Sequence, residues 1–126
     1  MVVDTSVLLA VFFKEPNAKW TAARLQEHEG ELLMSTVNLA ETLIRVRDRQ
    51  PRHCDEIEAA LLSSSIRFVP PDVVQARIAA EARLSLPPNL GDCFAYALAK
   101  ANNCPVLTLD TGFRSADCQV VAPWAR

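Results

Sequence analysis

The chain has 126 residues, 50% of them hydrophobic and 22% charged. That composition excludes a disordered polymer, and the length sets the expectation of a single domain over residues 1–126. The formal net charge of −2 excludes a domain whose whole surface is built to attract nucleic acid. No apolar run approaches the roughly 20 residues of a membrane span. The N-terminus has neither the basic region nor the cleavage site of a signal peptide, so a cytoplasmic protein with no membrane partner is expected.

The predicted elements alternate between strand and helix. Met1 to Val3 reads as a short strand that stops at Asp4. Asp4, Thr5 and Ser6 then offer a cap to a helix running through Phe13. Pro16 and Asn17 open a second helix that carries Trp20, Ala23 and Leu25 towards Gly30. Glu31 to Ser35 holds a short apolar run, followed by the cap cluster Ser35–Thr36. Apolar residues at 37, 40, 43, 44 and 46 mark a helical stripe that ends near Arg49. Pro51 closes it, and Asp55 to Leu62 reads as another helix. Ile66 to Val69 is a strand, Asp72 to Leu84 a helix, and Leu86 to Asn89, with Pro87 and Pro88, a loop. Leu90 to Asn102, rich in Ala and Leu, is the most strongly helical segment. Val106 to Leu109 and Gln119 to Val121 close the chain as strands around an Asp110-Thr111-Gly112 turn. Such alternation predicts an α/β fold, a parallel sheet with helices on both faces.

The thiols and basic residues add less. None of Cys54, Cys93, Cys104 and Cys118 falls in a C-x-x-C pair, so reduced structural thiols are expected rather than a zinc or redox motif. Only three of the 13 basic residues are Lys. Arg45, Arg47, Arg49 and Arg52 sit within eight positions, where they either complement a helix C-terminus or bind phosphate.

The acids carry the chemistry. Asp4 and Asp110 each end a strand, and ligand sites of open α/β sheets lie beyond the carboxyl ends of the strands. Glu41 and Asp92 lie near the starts of helices, at that same edge. Each acid also has a plain structural reading. Asp4 serves as an N-cap, Glu41 as the box partner of Asn38, Asp92 as a complement to its helix dipole, and Asp110 as a turn residue. Crowding all four together is costly unless a hard cation relieves the repulsion. Mg²⁺ or Mn²⁺ suits such a set, because it lowers the pKa of a bound water and polarises a phosphoryl oxygen.

Four segments occur in order: Val2-Val3-Asp4-Thr5-Ser6, Asn38-Leu39-Ala40-Glu41, Leu90-Gly91-Asp92-Cys93-Phe94-Ala95-Tyr96-Ala97-Leu98-Ala99 and Leu107-Thr108-Leu109-Asp110-Thr111-Gly112-Phe113. Together with the closing Val120-Val121-Ala122-Pro123-Trp124, they resemble the PIN domain, and within it the VapC-type ribonuclease toxins of bacterial toxin–antitoxin pairs. The resemblance implies a three-layer α/β/α fold with a parallel sheet of four or five strands in order 3-2-1-4-5. It implies an endoribonuclease dependent on Mg²⁺ or Mn²⁺, whose hydrolysis leaves 5′-phosphate and 3′-hydroxyl ends. Asp4, Glu41, Asp92 and Asp110 match the acidic positions, with Asp4, Asp92 and Asp110 mainly holding the metal. Thr5, Ser6 and Thr108 match supporting hydroxyl positions, and Asp117 stands as an alternative or additional fourth acid. Arg45, Arg47, Arg49 and Arg114 are candidate RNA contacts. A homodimer and a cognate inhibitory antitoxin are the implied protein partners, with Phe12 or Phe13 expected at a partner surface.

Two rival readings fit the residues less well. A phosphatase of haloacid-dehalogenase type needs a second aspartate where Ser6 stands and a strand-end lysine, whereas Lys100 lies on a predicted helix. A catalytically silent PIN-like binding module is expected to have lost acids, and all four positions here remain acidic.

Overall fold

The computed structural model describes residues 1–86 and 89–125, so Pro87 and Pro88 of the predicted loop lie outside the described residues. The described elements are β1 (Val2–Val3), α1 (Thr5–Phe12), α2 (Ala18–Glu27), β2 (Leu33–Ser35), α3 (Thr36–Arg49), α4 (Cys54–Leu62), β3 (Arg67–Val69), α5 (Val73–Ala82), α6 (Leu90–Asn102), β4 (Val106–Leu107), a 3-10 helix (Thr111–Ser115) and β5 (Val120–Val121).

The strands form one sheet in the order β3-β2-β1-β4-β5. Every pairing is parallel, with Val2 opposite both Leu33 and Val106, and Val106 opposite Val120. This is the expected α/β order. The chain leaves β1 towards β2 and β3, then returns through α5 and α6 to β4 on the other side of β1. The gap beyond the carboxyl ends of β1 and β4 is therefore the topological switch point, where open α/β sheets bind ligands.

Strand alternation sorts the core into two layers. Val3, Met34 and Leu107 are fully buried on one face with Val7 and Leu8 of α1 and Leu61 of α4. Val2 and Val106 point the other way, against Ala95, Leu98 and Ala99 of α6. α5 packs on the outside of α6 through Ala79, Ala82, Cys93 and Ala97. Small residues let these two helices approach closely, and each large aliphatic side chain buried in the layers contributes about 1.5–3 kcal/mol. Asn103 ends α6 at φ 49°, a left-handed position that Asn tolerates, and feeds the chain into β4. All four cysteines are free thiols.

Two boundaries differ from the sequence expectation for a shared reason. β4 stops at Leu107, two residues early, because the Leu109 N–H donates to Ser6 Oγ (3.0 Å) and the Asp110 N–H to Thr108 Oγ1 (2.9 Å) instead of to a strand. The turn at Asp110 also grows into a 3-10 helix, whose first free N–H, that of Gly112, donates to Asp110 Oδ1 at 2.8 Å. Side-chain oxygens have taken over backbone donors at the edge where the acids gather.

Candidate active site

Asp4 occupies the N-cap position of α1 but does not cap it: its side chain makes no hydrogen bond to the helix N–H groups. Instead Oδ2 accepts from Ser6 Oγ and from Thr108 Oγ1, both at 2.8 Å. The plain capping reading therefore fails. Asp4 is only 2% exposed, and burial pushes its carboxyl pKa up to about 6. The two hydroxyl donors work against that rise, while the charge of Asp110 adds to it.

Glu41 lies in the second turn of α3, whose N-cap is Ser35, accepting from the Val37 N–H at 3.2 Å. Asn38 is thus free of capping duty, and the predicted Asn38–Glu41 box does not form. Asn38 is fully buried and points across the fold. Its Nδ2 donates to Gly91 O (3.0 Å), Thr5 Oγ1 (3.1 Å) and Glu41 Oε1 (3.3 Å). Thr5 Oγ1 donates to the same Glu41 oxygen at 2.8 Å.

Asp92 sits in the first turn of α6, where Asn89 Oδ1 accepts from its backbone N–H at 3.3 Å. It is 3% exposed, and its buried Oδ2 has no hydrogen-bond partner. Burial first, then the close Asp110 side chain, then the charges of Asp4, Asp110 and Glu41, push its pKa up to about 9. The upward shift favours the protonated form, so a cation bound here competes with a proton. Asp110 keeps part of its plain role, since Oδ1 caps the 3-10 helix.

These groups meet in one open pocket of about 330 Å³ lined by Asp4, Thr5, Ser6, Glu41, Asp92 and Asp110, with Leu9, Ile44, Arg45 and Asn89 completing the wall. Oxygen is the chemistry of this wall. A buried, unpartnered carboxylate oxygen among like charges fits a hard divalent cation. The acids do not make a closed cage: among the described residues, no group of three or more His, Cys, Asp or Glu is arranged as a ready ligand set. Mg²⁺ tolerates such openness, because it keeps several waters and takes few carboxylates.

Other predicted residues lie elsewhere. Asp117 does not line this pocket: it accepts from the Tyr96 hydroxyl and pairs with Lys100 at 3.6 Å, on the outer side of α6. Of the four arginines, only Arg45 reaches the pocket wall. Arg47 pairs with Glu58 of α4 at 3.3 Å, Arg49 stacks over the Phe13 ring at 4.1 Å, and Arg114 stacks over Trp124 at 5.1 Å. Phe12 packs partly against the core and Phe13 lies half-buried under Arg49. The large exposed apolar residues among those described are others: Ile44 on the pocket wall, and Leu62, Val73, Val74, Leu84 and Leu90. Asn38 and Gly91 were not singled out as site residues by sequence reasoning. Their signal was present, since both lie inside the motif segments, but Asn three before Glu reads equally as a capping pattern.

An all-parallel sheet in this order, with acids at its switch point, defines an α/β fold carrying an oxygen-rich ligand site. Residues 1–117 match the family model described as the PIN domain. Ribonuclease VapC of Mycolicibacterium smegmatis is 33% identical over 96% of this chain and 99% of its own length. Ribonuclease VapC30 of Mycobacterium tuberculosis is 34% identical, over 97% of this chain and 98% of its own. Among solved structures, a toxin–antitoxin complex from Klebsiella pneumoniae superposes with a TM-score of 0.78 at 18% identity, covering 99% of this chain and 98% of that one, which shows the shared fold. The chain belongs to the PIN-domain family and, within it, groups with the VapC proteins. No helix among the described residues is long and apolar enough to cross a membrane.

Proposed function

We propose that this chain is a divalent-metal-dependent endoribonuclease and the toxin member of a toxin–antitoxin pair, with residues 1–126 forming one domain. The observation that carries the reading is the buried, unpartnered Asp92 Oδ2 in a pocket shared with Asp4, Glu41 and Asp110. Two relatives that cover nearly the whole chain are named ribonucleases, which supports the substrate class.

Asp4, Asp92 and Asp110 would hold Mg²⁺ or Mn²⁺, which when bound lowers the pKa of a water and offsets charge building on a phosphoryl oxygen. Ser6 and Thr108 fix Asp4 so that Oδ2 is tied and the carboxylate cannot rotate. Glu41 receives both of its donors at Oε1, and Oε2 is the oxygen left for a water or a ligand. Arg45, four residues after Glu41 and so on the same helix face, stands where a flanking RNA phosphate would pass. Nothing in this set requires a 2′-hydroxyl nucleophile, so the products carry 5′-phosphate and 3′-hydroxyl ends. The phosphatase alternative loses support, because Ser6 donates to Asp4 rather than standing as a second acid.

The solved toxin–antitoxin neighbour supports a protein inhibitor for this chain as well. Exposed Ile44 on the pocket wall gives such an inhibitor apolar purchase close to the acids. A homodimer would draw on the exposed apolar residues away from the pocket, Val73 and Val74 of α5 among them.

The test is cleavage of total cellular RNA and of one defined structured RNA, in Mg²⁺, Mn²⁺ or EDTA, beside the Asp4→Asn variant. Metal-dependent cuts that leave 5′-phosphate and vanish in the variant are expected. Cleavage that persists in EDTA or in the variant would overturn the assignment.

A further inference from the structure

Glu41 is held by two donors, Thr5 and Asn38, and its carboxylate fills a gap left at Gly91. Asn38 Nδ2 spans α3, α6 and α1: it donates to Gly91 O at 3.0 Å, to Thr5 Oγ1 at 3.1 Å and to Glu41 Oε1 at 3.3 Å. Asn38 is 0% exposed and sits one helical turn from Glu41, so substrate in the pocket does not reach it. Gly91 is buried in the first turn of α6, where Gly is a poorer helix former than Ala. Its backbone is ordinary helix, so no unusual φ demands glycine there. The reason lies in space. A Cβ built at position 91 would collide with the Glu41 carboxylate, with Oε1, Cδ and Oε2 as its three nearest atoms. The carboxylate occupies the volume that any other residue would fill.

We propose that Asn38 and Gly91 are positioning residues for Glu41, Asn38 by tying its Oε1 to α1 and α6 and Gly91 by leaving the gap its carboxylate fills. The proposal rests on the nuclease reading for its consequence in catalysis, but the geometry it asserts is testable without RNA or metal. Part of each residue's effect runs through Glu41, so that effect changes when the carboxylate is gone, which is the signature of coupled rather than independent sites.

The experiment is a double-mutant cycle of Gly91→Ala with Glu41→Ala, read first as thermal midpoint in the metal-free protein. With Glu41→Ala, the added methyl meets no carboxylate and the better helix former raises the midpoint by a few degrees. With Glu41 present, the methyl displaces the carboxylate from Thr5 and Asn38, and the midpoint is unchanged or falls. Equal shifts in both backgrounds would overturn the proposal. The second reading is RNA cleavage with Mg²⁺. Gly91→Ala lowers kcat by about tenfold or more with KM little changed, as expected when a reacting group is misplaced while substrate binding stays intact. A change in KM alone would also overturn it. Asn38→Ala removes a buried bridge and lowers stability by itself, so its cycle with Glu41→Ala is read as the difference between backgrounds. An RNA assay with no activity in any protein, alongside a positive thermal cycle, would count against the nuclease reading and leave the positioning of Glu41 standing.

Discussion

The Tyr96 hydroxyl donates to the Asp117 carboxylate, and Lys100 lies 3.6 Å from the same carboxylate. Hydrogen bonding holds the Asp117 carboxyl below its usual pKa, and burial together with that carboxylate raises the Tyr96 phenol to about 12. Asp117 is thus already satisfied on the outer side of α6. Asp110, seven residues earlier, lines the pocket with Asp4 and Asp92. Asp117→Asn is expected to leave RNA cleavage within about twofold, whereas Asp110→Asn lowers it by roughly a hundredfold or more. Equal losses in the two variants, measured as kcat/KM, would contradict the placement.

Burial of like charges gives a signed pH dependence. Asp4 and Asp92 are raised from 3.8 to about 6 and about 9. Between those limits the native state holds more protons than the unfolded chain, so stability of the metal-free protein falls as pH rises from about 4 to about 9. Asp92→Asn removes the larger part of that fall and is expected to raise the metal-free thermal midpoint at pH 8 while abolishing cleavage. Thermal melts from pH 5 to 9 in EDTA check this, and a midpoint that climbs with pH would count against it.

Ser6 and Thr108 act on Asp4 through the two hydrogen bonds that lower its pKa. Ser6→Ala and Thr108→Val each remove one such bond, worth about 1 kcal/mol. The Asp4 carboxyl then titrates at higher pH, and the acid limb of the pH–rate profile moves upward. A profile unchanged in both variants would show that this titration does not govern the rate.

Arg45 lies on the pocket wall and Arg47 pairs with Glu58. Arg45→Ala is expected to raise KM several-fold and to flatten the dependence of KM on salt, because one cation no longer meets the RNA phosphates. Arg47→Ala removes only a half-exposed ion pair and changes KM little. Titrations of rate against RNA at two salt concentrations separate the two arginines.

The sequence makes the acidic edge legible because Asp4 and Asp110 each end an apolar run, whereas the sheet order is implied only by the resemblance to the PIN domain. Val3–Asp4 is the plainest case: the strand ends where the charge begins. It made the arginine cluster misleading. Successive helical residues turn by about 100°, so Arg45 follows Glu41 by four positions onto the same face, while Arg47 turns towards α4. The helical part of this was open to deduction, but the occupation of Arg49 by Phe13 required the tertiary packing. Phe12 and Phe13 read as surplus apolar surface in the sequence, and both are partly buried, Phe12 against the core and Phe13 under Arg49. The more exposed large apolar side chains among the described residues are Ile44, Leu62, Val73, Val74, Leu84 and Leu90. Asn38 was hidden by an ambiguity of pattern, since Ser35 and Asn38 both stand where a cap could be. Only the bonds to Thr5 and Gly91, 33 and 53 residues away, show what Asn38 holds together.

The most direct measurement is calorimetric titration of Mn²⁺ into the metal-free protein at pH 7.5, run in two buffers of different ionisation enthalpy. If the buried acids form the cation site, binding displaces the proton that Asp92 carries, and about one proton is released per ion bound. Asp92→Asn then binds Mn²⁺ much more weakly and releases none. Binding without proton release, or with the same affinity in Asp92→Asn, would contradict the account.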